Sequence, residues 1–246
     1  HQRAVFGQAM HWVFGEFVAQ RAQSPVAFLA QLGRDHRKYG VTQGHYASLR
    51  QAWYTTMRSH LIDDWSELDR IAGLLPVENR PWFERYTRQV DIFREGAADR
   101  FGISHFILID SLNFVFELFG ATRTYLELLD RPEMVRRAVD FAFDLNVKIQ
   151  ETFFDKVPLL AGGIFSNMVQ WVPGRVVSES VDPFHMTSVD YFERWGREPV
   201  ERIFSRFDGG VIHLHGNGRH LLTAVSTVRG LKAVHAADDR DFPPAF

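Results

Sequence analysis

The chain has 246 residues, 46% of them hydrophobic and 24% charged, which is enough apolar material for one large α/β domain or two small ones and too much for a disordered chain. A formal net charge of −2 gives no electrostatic case for nucleic acid or an anionic membrane as partner. Cysteine is absent, which excludes disulfides, thiolate metal sites and cysteine nucleophiles and fits a cytoplasmic protein.

No apolar run approaches the ~20 residues that a membrane span needs, and no charged-then-apolar leader is present. The sequence starts at His1 and stops in a Pro-rich turn at Asp241 to Phe246, so both ends read as cut.

Residues 1–65 are helical by pattern, with apolar side chains recurring at spacings of three and four. Val5, Phe6, Ala9, Trp12, Val13 and Phe17 make one stripe. Pro25, behind Ser24, opens a second helix that carries Phe28, Leu29 and Leu32 and closes at Gly40. A third starts near Thr42 and runs through Tyr46, Leu49, Trp53 and Met57 to Leu61.

Residues 66–81 lose this periodicity and contain Pro76 and Pro81, which marks them as a linker between the first segment and a second part at 82–246. From Trp82 a helix extends to about Gly96, after which short apolar strands alternate with amphipathic helices. The expected strands are 105–110, 159–164, 211–215 and 231–235; the expected helices are 112–120, 122–129, 132–156, 188–207 and 218–228. Pro132, followed by Glu133, gives the 132–156 helix a well-signed start. Strand, helix and strand in succession without hairpin turns argue for a parallel sheet covered by helices.

Several side chains stand where chemistry is done. His213 and His215 are two apart on a strand, so they share a face and suit one metal ion at its carboxyl end; the competing reading is that one of them hydrogen-bonds a neighbour such as Asp182 or Ser111. Asp182, Asp238 and Asp239 fall at or after strand ends, where they serve as acid, base or ligand, or else cap turns. Gly216-Asn217-Gly218, with Arg219 and His220 beside it, is suited to cradling an anion at a helix start. His36, beside Asp35, Arg37 and Lys38, reads by itself as a residue on a solvated helix face.

Two family resemblances extend this reading. His1-Gln2-Arg3-Ala4-Val5-Phe6, Phe28-Leu29-Ala30-Gln31-Leu32-Gly33-Arg34-Asp35-His36-Arg37-Lys38-Tyr39-Gly40-Val41 and Gln43-Gly44-His45-Tyr46 resemble helices E, F and G of bacterial globins of the flavohaemoglobin type. That resemblance implies haem as cofactor, with His36 as its proximal ligand, Tyr46 bracing the imidazole and Gln2 facing a bound gas. The family's helices A to D and their distal tyrosine have no counterpart in this sequence.

Phe116 to Glu133, Asp182 to Phe192, Val211 to Asn217 and Gly230 to Val234 resemble, in order and spacing, the uroporphyrinogen decarboxylase superfamily, which includes cobamide-dependent and zinc-dependent methyltransferases. This second resemblance implies an α/β fold in which 82–246 form a partial (β/α)8 TIM-barrel-like domain, preceded by the small all-α globin-like segment. It also implies zinc at His213 and His215, the second of which is cysteine in the methyltransferase branch, and a small-molecule substrate with a corrinoid or thiol as methyl carrier or acceptor. The branch's third zinc ligand and the decarboxylase's early catalytic aspartate have no match here; of the strand-end aspartates, Asp182 is the candidate catalytic residue. The expected function is therefore a lyase or methyltransferase of this type; the alternatives are a haem protein working through His36, and an inactive fusion of two fragments.

Overall fold

A computed structural model describes residues 62–73, 77–78, 80–97, 101–105, 111–166, 168–169, 171–239 and 242. His36, Tyr46 and Gln2, with all of 1–61, lie outside the described residues.

Helix α1 (Ser66–Ala72) opens the stretch read as a linker. Its start is fixed by side chains: the Ser66 amide donates to Asp64 Oδ1 at 2.9 Å, and Glu67 reaches back to accept from the Asp63 amide at 2.9 Å. Ile62, Trp65 and Leu68 are buried, and the Ile62 amide donates to Leu118 O at 3.2 Å, so this segment is part of the same core as the chain that follows. Each of these side chains contributes about 1.5–3 kcal/mol by burial.

Helices α2 (Pro81–Ala97), α3 (Ser111–Phe119), α4 (Ala121–Asp130) and α5 (Pro132–Lys156) make a helical layer around α5. Along α5 the buried Val135, Ala138, Ala142, Leu145, Ile149 and Phe153 recur every three or four residues, Pro132 occupies the first turn, and Lys156 lies at the carboxyl end. The Tyr86 hydroxyl donates to Ile149 O at 3.0 Å, joining α2 to α5.

Strands β1 (Gly163–Phe165) and β2 (Trp171–Pro173) pair antiparallel. Strands β3 (Val177–Ser180), β4 (Gly210–Leu214) and β5 (Leu231–Ala236) form a parallel sheet in the order β3-β4-β5. The β3–β4 crossover holds a 3-10 turn (Asp182–Phe184) and the run α6 (Val189–Tyr191), a π-helical stretch (Phe192–Gly196) and α7 (Arg197–Arg206). The β4–β5 crossover holds a 3-10 helix (Gly216–Leu221) and α8 (Leu222–Val225) where a single helix was expected. β4, the middle strand, is buried at every position but His213, as helices covering a parallel sheet require.

The fold is mixed helix and sheet, as expected, but no barrel closes among the described residues: one sheet is a three-stranded open sheet, the other a two-stranded hairpin. The departure begins in the expected strand 159–164. Ala161 (φ 50) and Gly162 (φ 77) make a two-residue turn closed by Leu160 and Gly163, whose amides and carbonyls bond reciprocally at 2.9 and 3.1 Å. Positive φ at both central positions is the geometry that reverses a chain into a hairpin, so the run cannot continue as one barrel stave. Of the expected strand at 105–110, the neighbouring Ser104 bridges Phe165 in parallel sense and the His105 amide donates to Phe165 O; 106–110 lie outside the described residues.

Candidate functional site

Register places the polar residues of the sheet. Ser180, His213 and His235 are aligned across β3, β4 and β5, with Ser178, Val211 and Ala233 aligned two residues earlier, and alternation along each strand puts all six on one face. The three aligned polar positions lie near the carboxyl ends of their strands, where open parallel sheets bind ligands.

The structure brings His213, His215 and Asp182 together: one donor atom from each lies within 4.8 Å of the others. The His213 and His215 rings are 4.5 Å apart between centroids with planes at 80°. His215 continues the alternation one step beyond β4, and Asp182 opens the turn that follows β3. Asp182 is exposed and both histidines are half-buried. His215 Nε2 is 3.9 Å from Asp182 Oδ2.

Three further residues complete the cluster. His235 Nδ1 is 2.7 Å from His213 Nδ1. Asp239 lies 3.1 and 3.2 Å from His215 Nδ1 and also accepts the Gly216 amide at 2.6 Å. His185, in the β3–β4 crossover, is 3.5 Å from Asp182 Oδ1 through Nδ1, and its buried Nε2 has no hydrogen-bond partner among the described residues. A Cβ at Gly218 would stand 2.4 Å from that Nε2, so the glycine is what lets the ring pack against the backbone.

These contacts settle smaller points. Each of the two histidines hydrogen-bonds a neighbour, His213 to His235 and His215 to Asp239, rather than to Asp182 or Ser111. The Gly216 amide is capped by Asp239, so a protein carboxylate already occupies part of the cradle assigned to an anion. Arg219 donates to Ala237 O and lies 3.8 Å from Asp238; His220 contacts Asn217 O and Thr187 O.

The electrostatics favour neutral imidazoles. Burial pushes His213 down to about 4, with Asp182 opposing and the neighbouring histidines reinforcing. Burial likewise lowers His185, again opposed by Asp182. Asp239 is held below the usual carboxylate range by the Gly216 amide and then by His215. A neutral imidazole and an ionised carboxylate are the forms that bind a cation without first losing a proton.

A second polar group lies deeper. The buried His105 Nε2 is 2.9 Å from Ser178 Oγ, which is 2.7 Å from Ser166 Oγ, and Ser166 accepts the Met168 amide at 3.1 Å. Burial pushes His105 down to about 4.

His235 and His185 were missed as site residues, and Asp239 was recognised only as one of three strand-end aspartates. The available signal was the strand ending in His235, whose alignment with His213 follows once both strands are taken as neighbours in one parallel sheet.

The family model described as Globin matches residues 1–72, a span that holds Gln2, His36 and Tyr46 and runs through α1. The amino-terminal part is thus globin-like. No curated protein and no solved structure matches the chain. Among the described residues no helix is long and apolar enough to cross a membrane.

Proposed function

We propose that residues 82–246 form a uroporphyrinogen decarboxylase-like domain, a partial β/α barrel in ancestry, that carries out small-molecule decarboxylation or methyl transfer at a divalent metal site. The observation that carries this reading is the convergence of donor atoms from Asp182, His213 and His215 within 4.8 Å at the carboxyl ends of parallel strands. Two imidazoles and one carboxylate are a donor set suited to zinc, with a position left for substrate. When bound, the ion supplies Lewis acidity to a substrate oxygen or thiol. His213 and His215 offer ring nitrogens; the exposed Asp182 offers a carboxylate that serves as the third ligand or, where the ion is held by the histidines alone, as the acid or base that exchanges a proton with substrate. The substrate class follows from the sequence resemblance alone: a small acid or a thiol, with a corrinoid or thiol as methyl carrier or acceptor in the transfer variant. Metal analysis of protein purified without chelator tests the reading: one equivalent of zinc in the wild type and loss of it in the His213→Ala, His215→Ala double variant are expected. Equal metal content in the two proteins would remove it.

A second reading is favoured by the globin match over 1–72. In it His36 holds haem, Tyr46 orients the imidazole and Gln2 faces a bound diatomic gas. Haem titration is expected to give an intense Soret band that His36→Ala abolishes. Absence of both a Soret band and bound zinc supports the third reading, a fusion in which neither pocket works.

A further inference from the structure

We infer that Asp239 and His235 are positioning residues that fix which ring nitrogen of His215 and of His213 faces the cation; the inference rests on the metal reading of this cluster and names two residues that reading does not use. His215 Nδ1 lies 3.1 and 3.2 Å from the two oxygens of Asp239. An ionised carboxylate only accepts hydrogen bonds, so whenever the ring carries a single proton that proton sits on Nδ1 and the lone pair on Nε2. Nε2 is the atom that faces Asp182, 3.9 Å away. Asp239 is itself held by the Gly216 amide at 2.6 Å, the residue next to His215, so the carboxylate cannot swing away without exposing the first amide of the following 3-10 helix.

His213 and His235 obey the same logic. Their Nδ1 atoms are 2.7 Å apart, their centroids 4.9 Å, and their planes 21°, so the rings meet edge to edge near a common plane and share one proton between the two nitrogens. Only when His213 is the donor does its Nε2 keep a lone pair. A cation on His213 Nε2 therefore selects that arrangement and makes His235 the acceptor. The pattern is a carboxylate behind one ligand and an imidazole behind the other, reached from the end of β5, while the ligands come from β4 and its end.

The test uses the full chain with 15N-labelled histidine and zinc as the only added ligand. Metal-free wild type is expected to show His215 protonated on Nδ1. In Asp239→Asn the amide oxygen still accepts from Gly216 while its NH2 now donates to His215 Nδ1, so the ring is expected to carry its proton on Nε2. Zinc affinity is expected to fall about 10–100-fold with the stoichiometry unchanged, as for loss of an orienting partner. His235→Ala is expected to weaken zinc in the same way without moving the His215 tautomer. An unchanged His215 tautomer in Asp239→Asn, or zinc affinities within twofold of wild type in both variants, would overturn the inference. A wild type that binds no zinc but whose His215 tautomer flips in Asp239→Asn overturns the metal reading while supporting the positioning by Asp239.

Discussion

Trp65 donates its indole N–H to Glu127 Oε2 at 2.8 Å, an interaction between residues 62 positions apart in the chain, and its ring packs edge-on against Phe119 with centroids 4.5 Å apart. Arg131 meets both oxygens of the same carboxylate at 2.6 and 2.7 Å, and Arg123 donates to Oε1 at 3.2 Å. Burial alone would push Glu127 up; the three donors outweigh it and hold the carboxyl below its usual range. Glu127→Ala leaves the buried Trp65 indole N–H without its acceptor while the partly exposed Arg123 and Arg131 turn to water, and is expected to cost about 1–3 kcal/mol in urea unfolding, with Glu127→Gln recovering part of it.

His105 makes stability depend on pH. Its folded value of about 4 lies below the ordinary 6.5, so between those limits the unfolded chain binds a proton that the folded one refuses. His105 therefore costs no stability above pH 6.5 and lowers it as pH falls toward 4, by at most about 3 kcal/mol. His213 and His185 act with the same sign, so the comparison is with His105→Gln, whose unfolding free energy is expected to fall less steeply between pH 7 and 4.5.

Glu117 acts in the opposite direction. Burial raises it to about 7 from 4.5, so here the folded chain holds a proton that the unfolded one releases, and stability falls as pH rises from 4.5 through 7. Glu117→Gln is expected to raise stability by about 1–3 kcal/mol at pH 8 and to change it little at pH 4, measured by denaturant melts at both pH values.

Ala161 holds a φ of 50 in an exposed turn, a conformation glycine adopts freely. Ala161→Gly is expected to raise stability by about 0.5 kcal/mol despite the added freedom of the unfolded chain, seen as a small upward shift of the thermal midpoint.

Helices with strong local signals were legible in the sequence: α5 spans the expected 132–156, α2 matches 82–96 to within a residue at each end, and β4 and β5 fall on the expected strands. β3 was not, because Val177-Ser178-Glu179-Ser180 is polar at three of its positions though all four are buried. The hairpin turn at Ala161-Gly162 lacks the Asn-Gly or Asp-Gly signal that usually betrays it. At the candidate site, the closeness of His213 and His215 follows from a period of two along one strand. The closeness of His185, His235 and Asp239 follows from crossovers and inter-strand register, which no local pattern encodes.

Gly218 gives the histidine cluster a sensitivity that none of its ionisable groups reveals. Where the neighbouring chain bears only hydrogen, His185 nestles against it, and the smallest added methyl would collide with that imidazole. Changing residue 218 thus offers a way to evict one ring while every acid and base nearby stays chemically intact, separating what His185 contributes by presence from what its companions contribute by charge.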